Sequence, residues 1–234
     1  MDKNITLINF DQKIKFKDQT KLIKYLKKID TEIWPKFLIS FKKNYKYSYN
    51  QKFINKYKKF KDVNIIGMGG SCLGAKAIYK FLTNKIKKKL VFFDNLNLKN
   101  KSKKKVLNII ISKSGNTLET ASNFSAIYHK TNKNIFITEK TNNYLQNLAE
   151  KLKSEVIEHK NFIGGRFSVL SEVGMLPSQL MGLDESKFKQ YNNLIIKKNF
   201  LQQLTHNVLS TFNFIKKGKF NSIILNYDPN SEDL

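Results

Sequence analysis

Between residues 62 and 157, short aliphatic runs alternate with segments whose apolar residues recur at helical spacing. Val63–Ile66, Leu90–Phe93, Val106–Ser112 and Asn134–Thr138 read as buried strands, with a short fifth at Glu155–Ile157. Helical stretches fall between them, at about Leu73–Leu82, Leu118–Lys130 and Asn143–Leu152. Strands that alternate with helices imply a parallel sheet covered on both faces. The expected fold class is therefore α/β, with a doubly wound parallel sheet over about residues 50–170.

The flanks read as helical. Leu22, Ile23, Tyr25, Leu26 and Ile29 form one apolar stripe, and Phe37, Leu38, Phe41 and Tyr45 a second, with Pro35 near a helix start. Residues 172–217 read as helical again, with Gly174 and Pro177 near the start, and Ser222–Leu225 as one further strand. The expected organisation is an N-terminal helical segment (1–60), an α/β domain (61–171), and helices plus the first strand of a second α/β domain (172–234).

Two strand-to-helix loops concentrate groups that hold anions. Gly67-Met68-Gly69-Gly70-Ser71-Cys72 follows the first strand. Its glycines permit close backbone approach and converging N–H groups, and Ser71 offers a hydroxyl beside a helix N-terminus. A tight turn capped by Ser71 is the plainer alternative. Ser112-Lys113-Ser114-Gly115-Asn116-Thr117 follows the third strand and packs three hydroxyls, an amide and an ammonium into six residues. One side chain suffices for a helix cap, so this density suits a phosphate monoester. Glu119 is assigned to the helix dipole rather than to base chemistry. The dinucleotide fingerprint fails because Cys72 stands three residues after Gly69, so Asp94 at the end of the second strand is not read as a ribose ligand.

Charge changes the picture at one residue. The formal net charge is +25, yet of 43 basic residues all but Arg166 are lysines. Nucleic-acid readers use arginine for bidentate contacts, and these lysines are spread along the chain, so nucleic-acid binding is not expected. A positive field that draws in small anions is. Arg166 lies in Gly164-Gly165-Arg166-Phe167-Ser168, where a planar guanidinium could hold an oxyanion in fixed geometry. Codon bias that left one arginine by chance is the competing explanation. No apolar run approaches a membrane span. The single cysteine, Cys72, excludes an internal disulfide and suits a reducing cytoplasm. His129, His159 and His206 are too scattered to suggest a metal site.

Three blocks together resemble the glucose-6-phosphate isomerase family of the sugar isomerase (SIS) superfamily: Ile65–Gly74, Ile111–Thr120 and Gly164–Pro177. The first two loops occur across the superfamily, whereas the third narrows the resemblance to the isomerases. It implies reversible aldose–ketose isomerisation of glucose 6-phosphate and fructose 6-phosphate without metal or organic cofactor, in a homodimer. It further implies that Gly70, Ser71, Ser112, Lys113, Ser114 and Thr117 bind the substrate phosphate and that Arg166 is catalytic, stabilising an enediolate-like intermediate. The family's base glutamate, ring-opening histidine and C-terminal lysine find no matching position. Tyr227 and Ser231–Leu234 resemble the approach to the glutamate motif, so the sequence is read as a partial chain, itself nearly inactive. A non-catalytic SIS sugar-phosphate sensor and a different SIS isomerase are the alternatives.

Overall fold

A computed structural model describes residues 16–31, 36–96, 104–223 and 225–231. One compact unit comprises the described residues of Lys36–Phe188 and Asn226–Leu234, and the other those of Met1–Pro35 and Lys189–Leu225.

The larger unit is built on five parallel strands: β1 Asp62–Ile66, β2 Lys89–Phe93, β3 Leu107–Ile111, β4 Lys133–Thr138 and β5 Glu155–Glu158. Their order is β2-β1-β3-β4-β5, so the winding reverses between β1 and β3. Alternate residues of each strand face opposite layers. Ile65, Ile109, Ile135 and Ile137 pack with Ile54 and Tyr57 of helix α2 (Gln51–Tyr57) and with residues of a later helix, Glu172–Leu180. Ile66, Ile110 and Phe136 pack on the other face, against Phe124 and Ile127 of Leu118–Ile127 and Leu145 and Ala149 of Tyr144–Lys151. In chain order after α2, the helices of this unit are α3 (Leu73–Phe81), α4 (Leu118–Ile127), α5 (Tyr144–Lys151) and α6 (Glu172–Leu180). The expected strands and helices between residues 62 and 157 all form, which gives the doubly wound parallel sheet. α5 starts where Asn143 accepts a hydrogen bond from the Gln146 N–H, and α6 stops before Gly182, whose φ of +92° only glycine adopts freely.

A polar row crosses the sheet inside this apolar layer. Asn64, Asn108 and Asn134 stand in register on β1, β3 and β4. Asn64 Nδ2 donates to Asn108 Oδ1 at 2.8 Å, and Asn108 Nδ2 donates to Asn134 Oδ1 at 2.9 Å. Buried amides must be paired in this way.

In the smaller unit, α1 (Phe16–Thr31) packs with α7 (Lys198–Lys216), and Gln19 Nε2 donates to the Gln202 carbonyl at 2.8 Å. Leu22, Ile23 and Leu26 are half-buried, while Tyr25 is exposed.

Two expectations on the flanks are revised. Phe37, Leu38 and Phe41 lie in a short 3-10 helix, Lys36–Phe41, rather than an α-helix. Two aromatic residues, Ile39 and Ser40 in six positions favour helix weakly, since their side chains lose freedom or compete with the backbone. Pro35 lies outside the described residues. At Ser222–Leu225, the described residues Ser222, Ile223 and Leu225 are exposed and form no strand, and Ile224 lies outside those described. A strand needs a neighbour to satisfy its N–H and C=O groups, and among the described residues none pairs with these.

Candidate functional site

The loops that follow β1 and β3 emerge side by side at the C-terminal edge of the sheet, where the winding reverses. In open α/β sheets that crevice is the expected ligand position.

The first loop is pressed tightly into place. A Cβ on Gly67 would lie 2.8 Å from the Ile111 carbonyl oxygen, at the end of β3. Gly69 has a φ of +52° and starts a 3-10 turn, Gly69–Ser71, from which Ser71 N–H donates back to the Met68 carbonyl at 3.1 Å. Cys72, not Ser71, is the N-cap residue of α3, and no side chain caps that helix. Ser71 is thus not used as a cap, and its hydroxyl stays beside the helix entrance. Cys72 is buried and donates from Sγ to the Gly67 carbonyl at 3.0 Å. Burial pushes its thiol up to about 12, with Asp94 adding to the rise. Iodoacetamide at pH 8 should therefore leave Cys72 unmodified in the folded protein and react once the chain is unfolded in urea, because only the thiolate attacks. Rapid modification of the native chain would contradict this burial. Asp94, the other candidate near this loop, is held by Lys76 Nζ at 2.8 Å and is not presented to a ribose.

The second loop is braced from behind. Gly115 has a φ of +69°, and an added Cβ would fall 1.9 Å from Asn143 Oδ1. Tyr144 N–H donates to Asn116 Oδ1 at 2.9 Å, and Leu145 N–H to the Gly115 carbonyl at 3.0 Å. The N-terminus of α5 therefore holds the loop. The Lys113 carbonyl accepts from Glu139 N–H at 3.0 Å, and its ammonium lies 3.6 Å from the Glu139 carboxylate.

The hydroxyls divide into two roles. Ser112 is buried; its Oγ accepts from Gly115 N–H at 3.2 Å and shares a 2.7 Å hydrogen bond with Thr117 Oγ1. Ser114 is exposed and accepts from Asn116 N–H at 3.3 Å. Thr117 is the N-cap residue of α4, but its hydroxyl makes no capping bond and turns to Ser112 instead. The first-turn N–H groups of α4 are thus left uncapped by Thr117, which suits an incoming anion.

The third block brings Arg166 to the first loop. A Cβ on Gly70 would lie 2.5 Å from both the carbonyl carbon and oxygen of Gly165, so the two backbones touch. Ser168 Oγ lies 3.1 Å from the Gly70 carbonyl oxygen and 2.7 Å from that of Gly165, within hydrogen-bonding reach of both segments. Arg166 sits in the 3-10 turn Gly165–Phe167, exposed, and among the described residues its guanidinium has no partner. Phe167 packs against Phe37 in a tilted pair, ring centroids 4.6 Å apart. The structure therefore places Arg166, Gly70 and Ser71 together, and sets the Ser112–Thr117 loop on the adjacent strand.

Three supports were not evident in the sequence. Glu172, at the first turn of α6, is buried and accepts from Tyr45 Oη at 2.8 Å and from Ser48 N–H at 2.9 Å. It clamps the 45–48 segment onto α6; burial, followed by the Glu172 charge, drives the Tyr45 hydroxyl upward from its ordinary value. His159, just after β5, is buried with its backbone N–H bonded to the Thr138 carbonyl at 2.8 Å, and burial holds its imidazole below the usual value. Ser168 bonds a residue 98 positions away. Only its place within the Gly164–Ser168 block marked it. Among the described residues no cluster of His, Cys, Asp or Glu could hold a metal ion. No helix of the described residues is long and apolar enough to cross a membrane.

A five-stranded parallel sheet of this order, with two strand-to-helix loops side by side at its reversal, defines a doubly wound α/β protein. A hypothetical protein from Thermus thermophilus has the same fold: TM-score 0.63 and 21% identity over 83% of this chain and 52% of that one. The chain belongs to the phosphoglucose isomerase family, whose model matches residues 49–216. The glucose-6-phosphate isomerase of Methanocaldococcus jannaschii is 32% identical over 197 residues, and that of Acholeplasma laidlawii 32% over 209. These alignments cover 74% and 76% of this chain. The chain spans about half the length of the curated relatives it matches, 48% in each of these two cases.

Proposed function

We propose that these residues supply the phosphate-binding and charge-stabilising part of a glucose-6-phosphate isomerase, which interconverts glucose 6-phosphate and fructose 6-phosphate. The observation that carries this reading is the backbone contact between Gly70 and Gly165, which sets Arg166 beside the first anion loop. Ser114 and Thr117 would donate to the sugar phosphate together with Ser71 and the uncapped N–H groups of α3 and α4, with the Lys113 charge nearby. Ser112 and Gly70 would shape those loops. The phosphate fixes the sugar so that C1 and C2 lie near Arg166.

Moving a proton from C2 to C1 leaves negative charge on the substrate oxygens in an enediolate. A preorganised guanidinium stabilises that charge more than it stabilises the neutral carbonyl, which is what accelerates the step. The base that moves the proton is matched by no position in the 234 residues. Losing a base costs on the order of 10²–10⁴-fold, so the polypeptide by itself should bind sugar phosphate yet turn it over negligibly. Robust isomerisation by the purified chain would overturn that part of the reading. Homodimerisation and a cytoplasmic location accompany the proposal, the second supported by the lone buried cysteine.

Calorimetric titration with glucose 6-phosphate tests the binding. Ser114→Ala and Thr117→Val should each weaken it by about tenfold, the value of one hydrogen bond to a charged group. Unchanged affinity in both variants would remove the phosphate from this loop.

A further inference from the structure

At the opposite end of the sheet from these loops, the first residues of β4 and β5, Lys133 and Glu155, line a cleft of about 370 Å³. That volume lies within the range of small-molecule sites. Five of its lining residues are lysines: Lys56, Lys59, Lys130, Lys133 and Lys153. Glu155 is the one carboxylate among the lining residues, and it is paired with Lys56. The other four lysines line the same concavity, with no acidic lining residue left to pair with them.

The asparagine row ends in the same cleft. Asn134 is only 8% exposed, and its Oδ1 is taken by Asn108. β5 begins one register position too late to continue the row, since Glu155 pairs with Ile135. Among the described residues nothing accepts from Asn134 Nδ2, and Asn134 lines the cleft. The side chain is thus largely enclosed, while its Nδ2 stays accessible as an unpaired donor at a cleft lined by lysines. Lys153 adds a third sign. It ends the turn after α5 with a φ of +48°, where glycine would be the easier residue.

We infer that this cleft binds a small polyanion of linked phosphate groups, with Asn134 donating to one phosphate and Lys130, Lys133 and Lys153 holding the others. The site is separate from the sugar-phosphate loops, which lie at the C-terminal ends of the strands.

Calorimetry with inorganic tripolyphosphate at physiological ionic strength tests it on the 234-residue chain. One ion should bind per chain, more tightly than inorganic phosphate. Lys133→Ser and Lys153→Gly should each raise the dissociation constant about fivefold, the effect of removing one near charge. Lys153→Gly relieves the left-handed backbone, so thermal unfolding should show stability unchanged or raised while binding weakens. Lys85→Ser, outside the cleft, and Ser114→Ala should leave the affinity as it was. An equal loss in Lys85→Ser would reduce the effect to diffuse charge. A loss confined to Ser114→Ala would move the ion to the sugar-phosphate end. Unchanged binding in both cleft variants would remove the site. Each of these three results overturns the inference.

Discussion

Gly174→Ala should destabilise the protein by about 3 kcal/mol, at the upper end of what overpacking costs. Gly174 lies in the first turn of α6, and an added Cβ would sit 2.0 Å from the Val169 carbonyl oxygen and 2.8 Å from its carbon. Both obstacles are backbone, so no rotamer change relieves them. The turn that carries Arg166 would have to lift from α6. Val169 also packs on Gly74, and Ser168 Oγ lies at the Gly70 carbonyl, so the first loop would loosen with it. Gly74→Ala is the control. Its Cβ would meet Val169 Cγ2 at 2.8 Å and Cβ at 2.9 Å, a milder clash that a small movement of the residue relieves, and the expected cost is about 1 kcal/mol. Urea unfolding should show a lower midpoint with an unchanged slope for both, and a much larger drop for Gly174→Ala. Equal drops would mean that the Val169 backbone yields as easily as its side chain.

The parts legible in the sequence are those set by local pattern. Isoleucine-rich runs such as Leu107–Ile111 are buried on both faces, and their lack of alternation announces a central parallel strand. The Ser112–Thr117 loop was readable because its composition exceeds what a helix cap needs. Much less legible were the pairings between distant segments. Nothing in Gly70 or Gly165 alone says that their backbones touch, because close approach depends on how α6 returns across the sheet. Glu172 has a plain local role as a first-turn acid, and its partners Tyr45 and Ser48 lie more than 120 residues earlier. The division of labour among the hydroxyls was hidden too. Ser112 and Ser114 have the same chemistry in the sequence, but the turn that follows β3 buries one and exposes the other. The six-residue Lys36–Phe41 segment shows the limit of an apolar stripe, since its spacing fits an α-helix and its residue types do not sustain one.

Arg166→Lys should lower kcat of isomerisation by about 10²-fold or more, with KM changed no more than about threefold. The measurement requires a chimera in which residues 49–216 replace the matched segment of the Acholeplasma laidlawii relative, assayed beside the same chimera with arginine. The geometry argues for this split between kcat and KM. The guanidinium has no partner among the described residues, and its turn is bonded to the first loop through Ser168. It is therefore held by its backbone, not by an ion pair that a substrate would have to break. The charge beside the second loop is Lys113, whose carbonyl is tied to Glu139 N–H. Phosphate affinity should thus survive the substitution. A lysine at position 166 would keep the charge but lose the planar, rigid fork, so it would need to reorganise as charge develops on the substrate oxygen. That cost falls on the transition state and not on the ground state, which is why kcat carries it. Equal losses in kcat and affinity would instead put Arg166 on the phosphate. The Gly70–Gly165 contact would then serve to enlarge the anion site, and stabilisation of the intermediate would have to come from elsewhere.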